Sequence, residues 1–529
     1  MVSWPKSILS LGANLLTART AARLKRDRTD RHQRRAFRAL VAKLGAASHW
    51  RQLGLDSGMS YEAFRDTLPI QNYGSLQPLI GRMQAGEAGV LWPGECMFFA
   101  KSAGTASGTP KLLPVPSSML AQFRRGCRDA LLYYTARAGH AGIFRGRHLF
   151  VTGSTGLTPS TGSAPRTFVG EWPAIAALNL PSWAEERFYE PGMEIGLMTE
   201  WQPKLDAMAT RTATLDITLI AGMAPSLLAF AETMKAKTGD LNRSAETLHS
   251  VWPNLEVCVH GGVPAAPYMA ELRSALGASV NLHEVYAGAE GIYAAQDTST
   301  TAELRVLADS GLFFEFVPLA NFDAARPDDC RTQAVPLAQV KTGVDYVVLL
   351  TTPAGLARYV VEDVVRFTSA QPPRMTYVGR TSLMLSAFGE SVMERDVMQV
   401  LIGTCQRHRW SIVNFHVAPL FGVALTGQAR GRHEWWIELR PGTVETPTGP
   451  QMAMELDAEL QRSNPSYRER RASGRIDAPT VRLVMPGVFR HWMRYHGKWG
   501  GQNIVARCRS DRSIADELAQ ITKFARDQV

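Results

Sequence analysis

The stretch KSAGTASGTPK, residues 101–111, decides how the rest of the chain is interpreted. It comes after the apolar run MFFA and places four hydroxyl residues and two glycines between lysines. A strand that ends in such a turn can leave its backbone N–H groups unpaired, and a concave row of these donors suits phosphate oxygens. The spacing is not that of a Walker A loop. By itself a loop of this composition is more often only a turn, so its weight depends on whether matching motifs occur further along the chain.

The length and composition describe a globular protein with more than one domain. The chain has 529 residues, of which 45% are hydrophobic and 20% are charged, and this is more material than one ordinary core uses. The formal net charge is +10, but nine basic residues and only two acidic ones fall within residues 19–38. This segment predicts a surface helix with Phe37 and Leu40 on its apolar side. We therefore expect no nucleic-acid partner.

No membrane or export signal is predicted. The apolar stretch SILSLGANLL, residues 7–16, is too short to span a bilayer and is followed by arginines rather than by a cleavage site. We expect a cytoplasmic protein with no membrane partner. The cysteines form no CxxC pair, which argues against a zinc module or a disulfide framework, and we expect them to be small buried hydrophobes. They are Cys96, Cys127, Cys258, Cys330, Cys405 and Cys508.

Alternating strand-like and helix-like segments predict an α/β protein. Short apolar runs such as RHLFVTG, LDITLIAGM, GLFFEFVP and DYVVLLTT alternate with helical stretches such as SLLAFAETMKAK, which predicts crossover connections and sheets covered on both faces. The pattern changes after Arg380. We predict a large N-terminal domain over residues 1–385 and a smaller C-terminal α/β domain over residues 386–529.

Three later motifs accompany the loop at 101–111. They are HEVYAGAEG at 283–291, LARYVVEDVVRF at 356–367 and TYVGRTSLMLSAFGE at 376–390. The pair Gly261 and Gly262 precedes them. Each motif alone is consistent with a turn or a solvated side chain. In this fixed order, however, they resemble the phosphate loop, the aromatic-x-x-x-Glu element, the ribose-binding aspartate and the interdomain glycine-arginine of acyl-adenylate-forming enzymes.

Within that superfamily the chain resembles the Gretchen Hagen Three family of acyl acid amido synthetases, the auxin-responsive plant proteins and their bacterial relatives. The family motifs read approximately SSGTSGG..K, YASSEG and YRxGD, and here they stand as SAGTASGTPK, YAGAEG and YVVED. The likeness covers most of the chain. Four positions depart from the family pattern: Val360 replaces the arginine, Glu362 the glycine, and Gly288 and Ala289 the two serines.

The resemblance implies a large adenylate-forming domain with mixed sheets and helices, closed by a small C-terminal lid. It implies ATP and Mg²⁺ as cofactors, and a carboxylic acid and an amine, typically an amino acid, as substrates. Glu290 is then the magnesium ligand and a catalytic residue. The residues implied in nucleotide binding are Ser102, Gly104, Thr105, Ser107, Gly108, Lys111, Gly262, Tyr286, Ala287, Gly288, Asp363 and Arg380.

The family pattern near the C-terminus resembles Q-x-K, and its lysine is taken to reach the reacting carboxylate and α-phosphate. Here GGQNIVARC places Ile504 at that position. Lys498 is the predicted catalytic substitute, with Arg507 as the other cation in reach. The alternative is that both are surface cations and that adenylation proceeds slowly, assisted by Mg²⁺ and Lys111 alone. Two alternative functions stay open at this point. The acyl group could pass to a thiol such as coenzyme A or a carrier protein, or the chain could be a non-catalytic nucleotide-binding relative.

Overall fold

The computed structural model describes residues 6–102, 111–160, 167–240, 246–299, 303–422, 431–441, 446–496 and 505–526. The helices are α1 Lys6–Leu24, α2 Thr29–Leu44, α3 Ser48–Gln52, α4 Tyr61–Thr67, α5 Tyr73–Gln84, α6 Ser117–Ala138, α7 Trp172–Leu178, α8 Ser182–Phe188, α9 Gly192–Leu197, α10 Trp201–Thr212, α11 Ala224–Asp240, α12 Leu248–Val251, α13 Met269–Leu276, α14 Glu394–His408, α15 Gly449–Ser463, α16 Pro465–Ala472, α17 Val488–Tyr495 and α18 Ser513–Arg526.

The strands form three sheets within these described ranges. They are β1 Phe98–Lys101, β2 Leu112–Val115, β3 Arg147–Val151, β4 Thr158–Pro159, β5 Phe168–Glu171, β6 Tyr189–Glu190, β7 Ile217–Gly222, β8 Val257–Gly261, β9 Asn281–Gly288, β10 Gly291–Ala295, β11 Leu304–Val306, β12 Phe313–Pro318, β13 Val335–Pro336, β14 Asp345–Thr351, β15 Tyr359–Ala370, β16 Pro373–Arg380, β17 Ile412–Phe421, β18 Gly431–Leu439 and β19 Thr480–Val484.

The largest sheet combines a parallel half and an antiparallel half. Its order is β13-β12-β14-β15-β16-β11-β10-β9-β8-β7-β3-β6. Strands β9, β8, β7, β3 and β6 are parallel to one another, and helices such as α11 and α13 connect them, as the alternating pattern predicts. The chain therefore has the predicted α/β architecture, with a large N-terminal domain whose main sheet is mixed.

The prediction of crossover connections is wrong for the other half of this sheet. Strands β12 and β14, formed by GLFFEFVP and DYVVLLTT, are antiparallel neighbours, and between them the chain makes 3₁₀ turns and the short strand β13. Their continuous apolar character reflects burial on both faces instead. In β14, Val348 and Leu350 pack in one apolar cluster, whereas Val347 and Leu349 pack in another.

The basic N-terminal segment forms two helices rather than one. Helix α2 buries Phe37, Leu40 and Val41, as predicted, and Phe37 packs on Phe313 of the main sheet. Five cysteines are buried, but Cys127 is exposed, so the expectation for that residue is wrong. Within the part of the chain that the structure describes, no helix combines the length and apolar character needed to cross a bilayer.

A second apolar core belongs to the C-terminal part of the chain. It is built around the sheet β17-β18-β19 and the helices α14, α15 and α17. Its members begin at Leu383 and Leu385, whereas the largest apolar cluster of the N-terminal part extends to Met375. The structure thus has a large N-terminal domain and a smaller C-terminal domain. The boundary at residue 385 stays a prediction.

One buried arginine joins four separate segments of the large domain. Arg358 is fully buried and faces the equally buried Glu315, with nitrogen–oxygen distances of 3.2 Å. The guanidinium also donates to the backbone carbonyls of Arg65, Leu68 and Arg331. Each nitrogen of the Arg358 guanidinium therefore donates a hydrogen bond within the core. Arg358 is thus not available to replace the family arginine, whose position two residues later is occupied by Val360.

We expect Arg358→Ala to lower the free energy of unfolding by about 3–5 kcal/mol, because it leaves the Glu315 carboxylate buried without its partner. The urea-induced unfolding transition of the large domain measures this change in the free energy of unfolding. The exposed pair of Arg82 and Glu87 provides the control, since Arg82→Ala should change stability by less than about 1 kcal/mol. Equal effects of the two substitutions would contradict a structural role for Arg358.

Candidate nucleotide-binding and acyl-activation site

The predicted motifs meet around one cavity of about 2080 Å³. The cavity lies beyond the carboxyl ends of the parallel strands β7, β8 and β9, which is where α/β sheets bind ligands. The predicted site residues that line it are Ser102, Lys111, Gly262, Tyr286, Ala287, Gly288, Glu290, Asp363 and Arg380. The predicted residues Gly104, Thr105, Ser107, Gly108 and Lys498 lie outside the described residues, as does Ile504.

The centre of the site is a carboxylate held between two donors. Asp363 on β15 lies directly opposite Arg380 on β16, and Arg380 Nε donates to Asp363 Oδ1 at 2.9 Å. Tyr286 Oη donates to the other oxygen, Oδ2, at 2.6 Å. The nearby carboxylate raises the pKa of the Arg380 guanidinium well above its usual value. Arg380 therefore stays charged, and the hydrogen bonds from Arg380 and Tyr286 fix the orientation of the Asp363 carboxylate at the cavity wall.

Glu290 is the second carboxylate of the cavity. Only 8% of the residue is exposed, and its Oε2 accepts a hydrogen bond of 2.8 Å from Tyr293 Oη. Burial raises the pKa of Glu290, while the Tyr293 hydrogen bond and the charge of Lys111 act in the opposite direction. Among the described residues no group of three or more His, Cys, Asp or Glu side chains is arranged to hold a metal ion.

The ends of the predicted phosphate loop are fixed by strand pairing. Strands β1 and β2 are antiparallel, and the Ser102 N–H donates to the Lys111 carbonyl at 2.8 Å. The Lys111 N–H in turn donates to Ser102 Oγ at 3.1 Å. The side chain of Lys111 reaches strand β15, where its Nζ donates to Glu362 Oε1 at 2.6 Å. The loop therefore starts and ends at the cavity, and its lysine is ordered there.

The small domain forms one wall of the cavity. Helix α14 contributes Arg395, Met398, Gln399, Ile402 and Gln406, and the segment after residue 505 contributes Ala506 and Arg509. Arg507 bridges the domains, because its guanidinium donates to Asn414 Oδ1 at 2.5 Å and to the Tyr268 hydroxyl of the large domain. Arg507 is thus engaged in this bridge and is not among the residues that line the cavity. The domains are also joined by an ion pair between Arg440 and Glu271 at 2.6 Å.

The part of the cavity next to strands β3, β6 and β7, at the end away from Asp363 and Arg380, is apolar. None of the sequence motifs predicted it. Its walls include Phe144, Phe150, Phe188, Tyr189 and Leu219. Phe123 and Trp172 also line the cavity. Their rings stack at a distance of 4.1 Å, and Trp172 Nε1 donates to the Ala289 carbonyl, next to Glu290, at 2.5 Å. These residues come from separate helices and strands. They share no local spacing, so no sequence signal could have identified them as a group.

The comparisons with known proteins agree with this geometry. The sequence models of the GH3 family N-terminal, central and C-terminal domains match residues 22–281, 305–380 and 395–513. The chain belongs to the GH3 family. The GH3 family is the Gretchen Hagen Three family of the sequence resemblance, so the motifs at 101–111, 283–291 and 356–367 identified it correctly.

Individual relatives extend the GH3 likeness over nearly the whole chain. It is 25% identical to indole-3-acetic acid-amido synthetase GH3.8 of Oryza sativa subsp. indica, over 90% of this chain and 88% of that protein. The solved structure of AtGH3.15 acyl acid amido synthetase in complex with 2,4-DB matches with a TM-score of 0.76 and 17% identity, over 99% and 97% of the two chains. A 2-hydroxyisobutyryl-CoA ligase matches the fold with a TM-score of 0.58 and 13% identity, over 94% and 91%.

The altered middle motif of this GH3 chain has a steric explanation. A Cβ atom on Gly288 would overlap Tyr293 Oη and lie 2.7 Å from Glu290 Oε2. The absence of a side chain at residue 288 therefore leaves room for the hydrogen bond between Tyr293 and Glu290. A serine at this position would require Tyr293 or Glu290 to shift, so Gly288 is the residue compatible with this hydrogen bond as it stands.

We expect Gly288→Ala to lower the free energy of unfolding by about 1–3 kcal/mol, because the added methyl group overpacks the Tyr293–Glu290 contact. The loss should shrink in a Tyr293→Phe background, where the overlapping oxygen is gone. Gly403 on α14 offers the matched control, since nothing lies within 4 Å of its Cβ position and Gly403→Ala should be neutral or stabilising. Chemical denaturation of the four variants measures these differences, and an unchanged stability of Gly288→Ala would contradict the explanation.

Proposed function

We propose that this protein is an ATP-dependent ligase that activates a carboxylic acid as an acyl-adenylate and transfers the acyl group to an amine. The observation that carries the proposal is that four motifs, separated by up to 280 residues of sequence, place their charged side chains on one cavity. Membership of the GH3 family supports it, as do relatives named as amido synthetases. The product is an amide, and an amino acid is the proposed acceptor.

The first step forms a bond between a carboxylate oxygen of the acid and the α-phosphorus of ATP. The bond from that phosphorus to the bridging oxygen breaks, and pyrophosphate leaves. In the second step the amine nitrogen attacks the acyl carbonyl carbon, AMP leaves with the bonding electrons, and the amine loses a proton. Neither step requires a covalent bond to the protein, so the chain acts by positioning the reactants and by compensating charge.

The proposed roles of the side chains rest on their positions. Ser102 and Lys111 bind phosphate oxygens, and the Asp363 carboxylate accepts hydrogen bonds from the ribose hydroxyls with Arg380 beside it. Tyr286 holds Asp363 in place and presents its ring to the adenine side of the cavity. The apolar end of the cavity suits the body of an acid that is largely hydrocarbon or aromatic.

Magnesium is part of the proposal. Glu290 offers a hard carboxylate oxygen on the cavity wall, and Mg²⁺ is commonly held by one or two carboxylates together with water and phosphate oxygens. A carboxylate oriented by a tyrosine, as Glu290 is by Tyr293, fits that manner of binding, whereas a cage made only of protein ligands is not found among the described residues. Bound Mg²⁺ would neutralise charge on the leaving pyrophosphate.

The direct test is ATP–pyrophosphate exchange across a panel of carboxylic acids. The proposed ligase exchanges label only in the presence of its acid. Product analysis with amine and thiol panels then identifies the acceptor, and thioester formation in place of amide formation would overturn the amine. Binding of AMP without exchange for any acid would support the non-catalytic alternative. The roles of Lys498 and Ile504 stay predictions until variants at these positions enter the same assay.

We expect Asp363→Ala to weaken ATP binding by at least about tenfold, since each charge-assisted hydrogen bond contributes about 1.5–3 kcal/mol. Isothermal titration calorimetry measures the affinity, and circular dichroism checks that the fold remains. Asp345 is a matched control, because it forms a carboxylate–arginine pair with Arg366 on the same sheet but does not line the cavity. Unchanged affinity of Asp363→Ala would refute the ribose role.

We expect Glu290→Gln to reduce pyrophosphate exchange more than it reduces AMP binding, because the metal matters most where pyrophosphate leaves. The amide keeps the size of the side chain and the Tyr293 hydrogen bond but has no charge for Mg²⁺. The variant should also need a higher Mg²⁺ concentration for half-maximal exchange. Equal losses in exchange and AMP affinity would count against Glu290 as a metal ligand.

A further inference from the structure

Glu362 holds a backbone conformation that ordinarily belongs to glycine. Its φ angle is +72°, and a side chain is disfavoured there because the Cβ atom crowds the backbone. In the family motif the residue at this position is a glycine. A strained backbone angle of this kind persists only where surrounding contacts hold it, so the contacts of the Glu362 side chain decide what the residue contributes.

Those contacts join the phosphate loop to the segment that leads into the small domain. Glu362 Oε1 accepts a hydrogen bond of 2.6 Å from Lys111 Nζ. The other oxygen, Oε2, accepts from Ser382 Oγ at 3.3 Å, and the Glu362 backbone carbonyl accepts from Thr381 Oγ1 at 3.4 Å. Ser382 and Thr381 directly follow Arg380. Glu362 is therefore a link between Lys111 and the interdomain segment.

The ion pair leaves Lys111 able to bind a ligand. An ammonium group has three donors, and the carboxylate of Glu362 takes one of them. The lysine side chain is 21% exposed and lines the cavity, where its charge also acts on Glu290. Phosphate oxygens can thus reach the remaining donors without displacing Glu362. A lysine without such a partner would lose rotamer freedom when it binds, and this loss weakens binding.

We propose that Glu362 is a positioning residue, which holds the Lys111 ammonium in the cavity so that it meets the triphosphate of ATP already ordered. The proposal rests on the proposed function, because that function makes ATP the ligand. Glu362, which stands where the family has a glycine, thus has a role specific to this chain. The opposite role, in which the carboxylate competes with phosphate for the lysine, predicts the reverse effect on affinity.

The test is a double-mutant cycle on binding of a non-hydrolysable ATP analogue, measured by isothermal titration calorimetry with Mg²⁺ present. The proteins are the wild type, Glu362→Gly, Glu362→Gln, Lys111→Gln and the double variant Glu362→Gly/Lys111→Gln. We expect Glu362→Gly and Glu362→Gln each to weaken binding about threefold to fivefold, the range of partly exposed ion pairs. In the Lys111→Gln background, Glu362→Gly should change nothing further.

Thermal unfolding separates this role from a merely structural one. Glycine relieves the strain at residue 362, so the Tm of Glu362→Gly should not fall, whereas its analogue affinity should. A lower Tm with unchanged affinity would overturn the proposal, and so would tighter binding by Glu362→Gly or an equal loss in the Lys111→Gln background. Failure of the proposed function looks different, because the wild type would then bind the analogue and yet give no pyrophosphate exchange with any acid.

Discussion

The ion pair between Asp363 and Arg380 is the interaction on which the site depends. It joins two neighbouring strands near the middle of the main sheet, and Arg380 is the last residue of its strand before the chain enters the small domain. Tyr286 ties the same carboxylate to the end of the parallel half of the sheet. One carboxylate therefore fixes the relative positions of the parallel strands, the antiparallel strands and the interdomain segment.

Charge compensation around the cavity extends from this pair. Asp363 is matched by Arg380, and Glu362 is matched by Lys111, at distances of 2.9 and 2.6 Å. Glu290 has a tyrosine hydroxyl as its near partner, and its burial raises its pKa. A cation entering beside Glu290 would offset the free-energy cost of burying its negative charge. These hydrogen bonds and ion pairs hold the charged groups in fixed orientations, which is the condition under which fixed charges and dipoles contribute most to catalysis.

The departures from the family motifs are coupled to their surroundings. Gly288 replaces a serine where a Cβ atom would overlap the hydroxyl of Tyr293, and Glu362 replaces a glycine where its carboxylate can pair with Lys111. Arg358 lies two residues before the missing motif arginine, but its guanidinium is used in the core with Glu315. The Gly288 change is therefore explained by residues of the same β-hairpin, and the Glu362 change by a contact with a distant segment.

The sequence alone determined the architecture and the family. The apolar runs were enough to predict the strands, because strand-forming composition acts within a few residues. The fixed order of four short motifs was enough to identify the family by resemblance. Tertiary structure alone decided the pairing of Asp363 with Tyr286, the bond between Lys111 and Glu362 and the apolar end of the cavity. It also decided that β12 and β14 are antiparallel and that Cys127 is exposed. These features depend on contacts between residues far apart in the chain, and a distance in sequence carries no information on distance in space until the sheet has set the register of its strands.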